Sequence, residues 1–293
     1  MQELFNKLCR WSGIMALAVL AAGCSMSQMV VRTTQPLMEA SIQAMHRETD
    51  LEIRKAAIAA NLKLLEGMIL EDPKNPALHE YAAEGLYGYT FAFVEPVSRE
   101  RAGSLYQRCL THGREALQQA GLSIDLFQAD RDELNRSLRS LNQKQVPALF
   151  WTASCWAKWI DMNRDDPRLI SQLPRTEILM GRVLELDHDF YYGGAYTFFG
   201  VLYGSRPPML GGDFKRSAEY FRMADLTGDH KMLLNDVLYA EYLARQQLDR
   251  KTFHAKLVQV LDTPVDRYPD MAFINQVAHD RARRLLKKED EWF

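Results

Sequence analysis

The feature that most constrains this chain is a helical periodicity that hardly lapses. Apolar residues recur at steps of three and four almost throughout, whereas period-two alternation never lasts more than a few residues. Such a chain has no sheet to build on and must bury its apolar stripes helix against helix. The spacing predicts an all-α fold of about 12 helices, at roughly 35–47, 50–71, 76–94, 98–120, 129–140, 145–162, 172–186, 190–205, 213–226, 230–246, 249–262 and 269–289. The breaks fall at Asp72-Pro73, Glu95-Pro96, Gly121, Asp166-Pro167, Pro207-Pro208, Thr263-Pro264 and Tyr268-Pro269, where proline cannot continue a helix or glycine frees the backbone.

Short turns between long helices predict helical hairpins stacked as degenerate tetratricopeptide-like repeats. Leu65, Met68 and Pro73 in "NLKLLEGMILEDPKNPALHEYA" keep repeat-like spacing, and "TEILMGRVLELDHDFYYGGAY" repeats the theme with His188 in the proline position. A third pair joins Gly200 and Tyr203 on one helix to Ser217, Phe221 and Ala224 on the next. Its turn is expanded by "SRPPMLGGDF", which carries Pro207, Pro208, Gly211, Gly212 and Asp213. A phosphate-cradling loop would follow a strand and close on Gly-Lys-Ser/Thr. Here Asp213 stands where phosphate would need a cation, so it reads as the N-cap of the following helix. Gly211 or Gly212 is expected to supply a left-handed turn residue.

The N-terminus reads as a leader. Lys7 and Arg10 precede the short apolar run "GIMALAVLAAG" and then Cys24. Residues 1–23 are expected to be a lipoprotein signal peptide, with Cys24 as the lipidated first residue of the mature chain. Leu20 lies one place earlier than a lipobox favours. An ordinary secretory signal with a chance cysteine is the competing reading. Ser25 after the cysteine implies the outer rather than the inner membrane, by resemblance to Gram-negative sorting signals. Residues 24–34 are expected to be a lipidated tether, and 35–293 a single α-helical domain. Loss of residues 1–23 removes Lys7, Arg10 and Glu3, leaving 34 basic against 37 acidic residues, which is no footprint for nucleic acid. Only Cys109 and Cys155 remain beyond Cys24. A bridge is permitted in an oxidising compartment, but nothing in the sequence brings the two together, and buried free thiols are slightly favoured.

Two segments concentrate chemistry. Tyr192, Tyr196, Phe199 and Tyr203 form an aromatic stripe at helical steps, beside a small-residue stripe of Gly193, Thr197, Gly200 and Gly204. The helix at 76–94 repeats this, with Gly85, Gly88 and Ala92 beside Tyr81, Tyr87, Tyr89, Phe91 and Phe93. Glycine within a helix costs about 1 kcal/mol relative to alanine, so something must approach closely. Helix packing is the favoured explanation, and an aromatic cavity for an apolar ligand is the functional one. Gly200→Leu is expected to separate them. In "LFWTASCWAKWIDM", Trp156 and Trp159 share a face, and Lys158 stands alone among aromatics. A snorkelling lysine is favoured over a carboxylate anchor. Histidines show no metal spacing, no nucleophile elbow occurs, and no cofactor motif is present, so an enzyme is unsupported.

The lipobox, the all-helical mature chain, and the stretches "EYAAEGLYGYTFAFVE", "ALFWTASCWAKWI" and "GAYTFFGVLYGSRPPMLGGDFKRSAEYF" together resemble the TatT lipoproteins. These are the T components of tetratricopeptide-associated tripartite ATP-independent periplasmic (TRAP) transporters. The resemblance spans nearly the whole mature chain. It implies a homotrimer, a pore or cleft accepting a hydrophobic ligand, and a periplasmic substrate-binding partner, the P component. On this reading the chain is a lipid-anchored accessory protein that binds or conducts a hydrophobic or organic-acid ligand. The alternative is a repeat lipoprotein that only scaffolds protein–protein assembly at the outer membrane.

Overall fold

A computed structural model describes residues 26–293, and Cys24 with the leader lies outside the described residues. The fold is all-α. Twelve helices of at least seven residues carry it: α1 (Met26–His46), α2 (Leu51–Glu71), α3 (Pro76–Tyr89), α4 (Arg99–Gln119), α5 (Arg131–Leu138), α6 (Val146–Met162), α7 (Leu173–Leu186), α8 (Phe190–Gly204), α9 (Phe214–Thr227), α10 (Leu234–Tyr239 with its continuation to Ala244), α11 (Arg250–Asp262) and α12 (Ala272–Leu286). Side-chain caps start many of them. Asp50, Asn75, Ser98, Asp130, Asp213 and Asp249 each accept backbone N–H groups of the first turn, which otherwise lack helical partners.

Neighbours in sequence pack as neighbours in space: α2 on α3, α3 on α4, α8 on α9 and α11 on α12, with α6 bridging α4 and α7. One large core runs through this stack, with Trp156 and Phe253 among its largest fully buried side chains. The third repeat-like pair is realised as expected. Ser217, Phe221 and Ala224 are buried, and the Ser217 hydroxyl donates to the Gly200 carbonyl at 2.7 Å. α1 reaches across to α12, and Arg47 Nη2 pairs with Asp270 Oδ1 at 2.8 Å. The two ends of the described chain therefore meet.

Three findings differ from the sequence reading. The expected tether is helical from Met26, and it is held down: Val31 is buried and Arg32 Nε lies 2.8 Å from the buried Asp72 carboxylate. Cys109 and Cys155 form a disulfide across α4 and α6, with Cα atoms 5.7 Å apart, so the free-thiol expectation fails. The helices approach closely there because Gly113 lies against Thr152, whose Cα would stand 2.9 Å from an added Cβ. A sequence separation of 46 carries no sign of that proximity. Finally, α3 and α10 each end in a π-helical turn, Thr90–Val94 and Ala240–Ala244. Each inserts an extra residue into the turn and so rotates the side chains that come after it about the helix axis.

Candidate functional site

α1, α2 and α3 enclose a cavity of about 60 Å³. That is room for several waters, since one needs roughly 10–15 Å³. It is much smaller than the roughly 300–1,000 Å³ of a drug-sized ligand pocket. Its walls are mostly apolar. α1 contributes Met38, Ile42 and Met45, while α2 contributes Ile58, Leu62 and Leu65. Gly85 and Gly88 of α3 form its floor, and Trp151, Tyr191 and Phe273 close the far side. Gly88 makes room: a Cβ built there would meet nothing within 4 Å.

Arg54 is one of four polar or charged side chains in this lining, with His46, Asn61 and Glu84. It is 4 % exposed. Its guanidinium carbon sits 3.7 Å from the centroid of the Phe273 ring, which supplies a cation–π contact. Its Nε and Nη1 atoms find no hydrogen-bond partner among the described residues. Glu84 and Glu48 lie near enough to favour its charge, while Glu84 is also 3.5 Å from His46 Nε2 and Glu48 accepts the Asp50 N–H at 2.8 Å. Burial, the largest influence, lowers the arginine to about 10, so it stays charged at neutral pH.

Tyr191 reaches the cavity through an unusual corner. Tyr191 (φ 49°), Tyr192 (φ 57°) and Gly193 (φ 76°) are three consecutive left-handed residues at the start of α8. Each of the tyrosines costs roughly 1–2 kcal/mol there, so tertiary packing must hold them. The Tyr191 ring stands edge-on to Trp151 at 5.1 Å and lies 5.6 Å from Phe150. Burial raises its phenol above the ordinary range.

A second charged cluster lies deeper. Glu95, just past one π turn, accepts from Lys158 Nζ at 2.8 Å and from the Tyr106 hydroxyl at 2.7 Å. Arg281 lies 3.5 Å from Glu95 and binds Glu241, in the other π turn, at 2.6 Å. Asp161 takes Lys158 at 3.4 Å and pairs with Arg164. Three carboxylates thus face three cations. Burial alone would raise Glu95, but Lys158 and then Arg281 hold it below the ordinary carboxylate value. Lys158 is raised well above its usual value because Glu95, Tyr242 and Asp161 outweigh the opposing burial. The network is internally balanced and leaves no charge for a ligand.

The residues singled out from sequence divide accordingly. Lys158 neither snorkels nor waits for a ligand, because its carboxylates are the protein's own. Trp156 is core, its Nε1 donating to Gln172 at 2.9 Å, and Trp159 meets Phe127 edge-on at 6.4 Å. Tyr89 packs on Phe93 with ring centroids 5.8 Å apart. Tyr192 leaves the aromatic stripe, because its left-handed backbone turns it out to 41 % exposure. Phe199 and Tyr203 stack with Tyr220 at 5.1 and 5.8 Å, and Tyr196 lies 6.3 Å from the same ring. These aromatics are away from the cavity walls. The small-residue stripe beside them is packing. A Cβ at Gly200 would stand 2.9 Å from the Phe221 ring, and one at Gly204 would stand 2.6 Å from the Ser217 hydroxyl. Gly200→Leu therefore tests packing, not capture.

The other stripe, Gly85 and Gly88, is the one that opens on a cavity. Arg54 carries no sequence signal, since one arginine on a helix reads as a solvated face. The expanded turn behaves as expected. Gly211 is left-handed at φ 83°, Gly212 has the Arg206 carbonyl where a Cβ would go, and Asp213 accepts the Arg216 N–H at 3.0 Å. Pro207 precedes a short 3₁₀ turn that begins at Pro208.

The family model described as "TRAP transporter T-component" matches residues 47–293. The chain belongs to the TRAP transporter T-component family. Membership makes it an accessory component of a transporter rather than an enzyme, associated with the other parts of that system. No curated protein matches the chain. No helix among the described residues is long and apolar enough to cross a membrane.

Proposed function

We propose that this T component is a periplasmic, lipid-anchored homotrimer that holds a hydrophobic or organic-acid ligand and docks the substrate-binding P component of its transporter. The observation that carries the ligand is the cavity under α1, a mostly apolar slot whose lining also holds Arg54, Glu84, His46 and Asn61. Its lining joins α1 to α12 through Met38 and Phe273. The docking role is supported by family membership. It is also supported by the expanded turn, whose tip presents Met209 at 88 % and Leu210 at 65 % exposure. Exposed apolar pairs of that kind suit a protein contact.

Native mass spectrometry of the mature protein, alone and mixed with its P component, tests this reading. It reads subunit count, retained small molecules and partner binding together. A trimer that retains a releasable ligand and binds the P component is expected. A monomer that neither retains a ligand nor binds the P component overturns it. Replacing Cys24 with alanine is expected to release the protein from the membrane fraction.

A further inference from the structure

We propose that the outward face of α1 lies in the surface of the membrane that holds Cys24, so that this helix sets the orientation of the protein on the bilayer. The proposal rests on the lipid-anchored reading above. A helix at a protein surface ordinarily turns apolar residues inward and polar ones to water. α1 does only the first. Its inner face is used by the fold, where Val31 and Met38 are buried against Leu65 and Leu78. Its outer face carries Met26, Val30, Thr33, Leu37, Ala40 and Ala44, all exposed, at steps of four and three that keep them on one side of the helix. Met29 joins them, and Met26 reaches 85 % and Leu37 72 % exposure. No charge interrupts this stripe. Arg32 and Glu39 are turned back onto the protein: Arg32 Nε lies 2.8 Å from the Asp72 carboxylate, and Glu39 accepts the Tyr81 hydroxyl at 2.7 Å. The Thr33 hydroxyl donates to the Val30 carbonyl at 2.9 Å, so the helix itself satisfies its donor.

Two features select a bilayer as the occupant. The stripe is most apolar beside the anchor, since Met26, Met29 and Val30 fall in the first two turns and Met26 stands two positions after Cys24. Two residues span at most about 7 Å, and an interfacial helix sinks its apolar face roughly 5–10 Å into the boundary between headgroups and acyl chains. Acyl chains on Cys24 therefore hold the start of α1 at that depth. The stripe also carries no charged side chain of the kind that fixes register against a protein partner. α1 has 21 residues, about 31 Å of helix, so its contact sets a direction as well as a point. The acyl chains supply retention, and the stripe supplies orientation.

Fluorescence quenching of the acylated protein in phosphatidylethanolamine–phosphatidylglycerol vesicles tests the assignment. An environment-sensitive fluorophore is placed on Met29→Cys, on Leu37→Cys or, as a control in the exposed turn, on Met209→Cys. Cys109 and Cys155 are buried and bridged, so the introduced thiol takes the label. The labels at 29 and 37 are expected to lose emission to nitroxide-bearing lipids and to be sheltered from aqueous iodide, whereas the label at 209 responds to iodide. Leu37→Glu, at an exposed position that the fold tolerates, is expected to keep the protein on the vesicles and to open the label at 29 to iodide. Protein that floats with the vesicles while the labels at 29 and 37 respond to iodide as the one at 209 does overturns the proposal and leaves the anchor standing. Labels sheltered from both quenchers show a protein cover, a second copy of this chain, and overturn it as well. Protein that does not float with the vesicles overturns the anchor and the proposal together.

Discussion

Gly88 offers a direct test of whether the cavity is truly open space. It lies within α3, where glycine costs about 1 kcal/mol relative to alanine because the unfolded chain loses more freedom on folding. A Cβ built there meets nothing within 4 Å, so Gly88→Ala recovers that propensity with no steric charge against it. The expected gain is about 1 kcal/mol, or roughly 2–4 °C in melting temperature for a chain of this size. The controls come from the same structure. At Gly85 an added Cβ stands 3.0 Å from Leu62 Cδ2, and at Gly200 it stands 2.9 Å from the Phe221 ring. Gly200→Ala is expected to cost about 1–3 kcal/mol by overpacking, and Gly85→Ala to fall between the two. Urea unfolding with a constant slope, followed by circular dichroism, measures each. A destabilised Gly88→Ala, or a Gly200→Ala as stable as the parent, refutes the distinction between an open stripe and a packed one.

The buried charges and the bridge give further tests. Glu95→Ala strips Lys158 and Arg281 of a shared partner and is expected to destabilise by about 3–5 kcal/mol, read as a lower urea midpoint. Cys155→Ala opens a loop of sequence separation 46 and is expected to cost about 4 kcal/mol on loop entropy, and a reductant should lower the parent to the same level. Glu80 is raised from 4.5 to about 7 by burial and then by Glu84. The unfolded chain releases that proton first, so Glu80 lowers stability progressively as pH rises through about 4.5 to 7. Glu80→Gln is therefore expected to match the parent near pH 4 and exceed it at pH 8, measured by urea midpoints at both.

Much of the fold is legible in the sequence because the forces that set it are local. The N-cap at Asp213, the breaks at Asp72-Pro73 and Asp166-Pro167, and the pairing of Gly200 with Ser217 and Phe221 all come from spacing and turn chemistry. The features that escape depend on distant partners. Lys158 meets Glu95 across 63 residues, and its neighbours in sequence, mostly aromatic or apolar, give no hint of that carboxylate. The left-handed backbone at Tyr191 and Tyr192 carries no composition signal, since tyrosine does not favour it. Only tertiary packing offsets the strain. The cavity itself is half visible: the Gly85–Gly88 stripe stands out in the sequence, but the longer Gly200 stripe outweighs it there, and Phe221 fills the space beside Gly200.

The contrast between the two buried charge clusters carries the functional argument furthest. In a low-dielectric interior a balanced ion network fixes geometry and leaves nothing to bind. Glu95, Asp161 and Glu241 against Lys158, Arg164 and Arg281 is such a network, and it joins the two π turns to α6 and α12. Those elements also place Phe273, at the start of α12, over Arg54. The balanced cluster therefore fixes the position of the helix whose Phe273 ring packs on Arg54. The opposite wall is α1, the helix closest in sequence to Cys24.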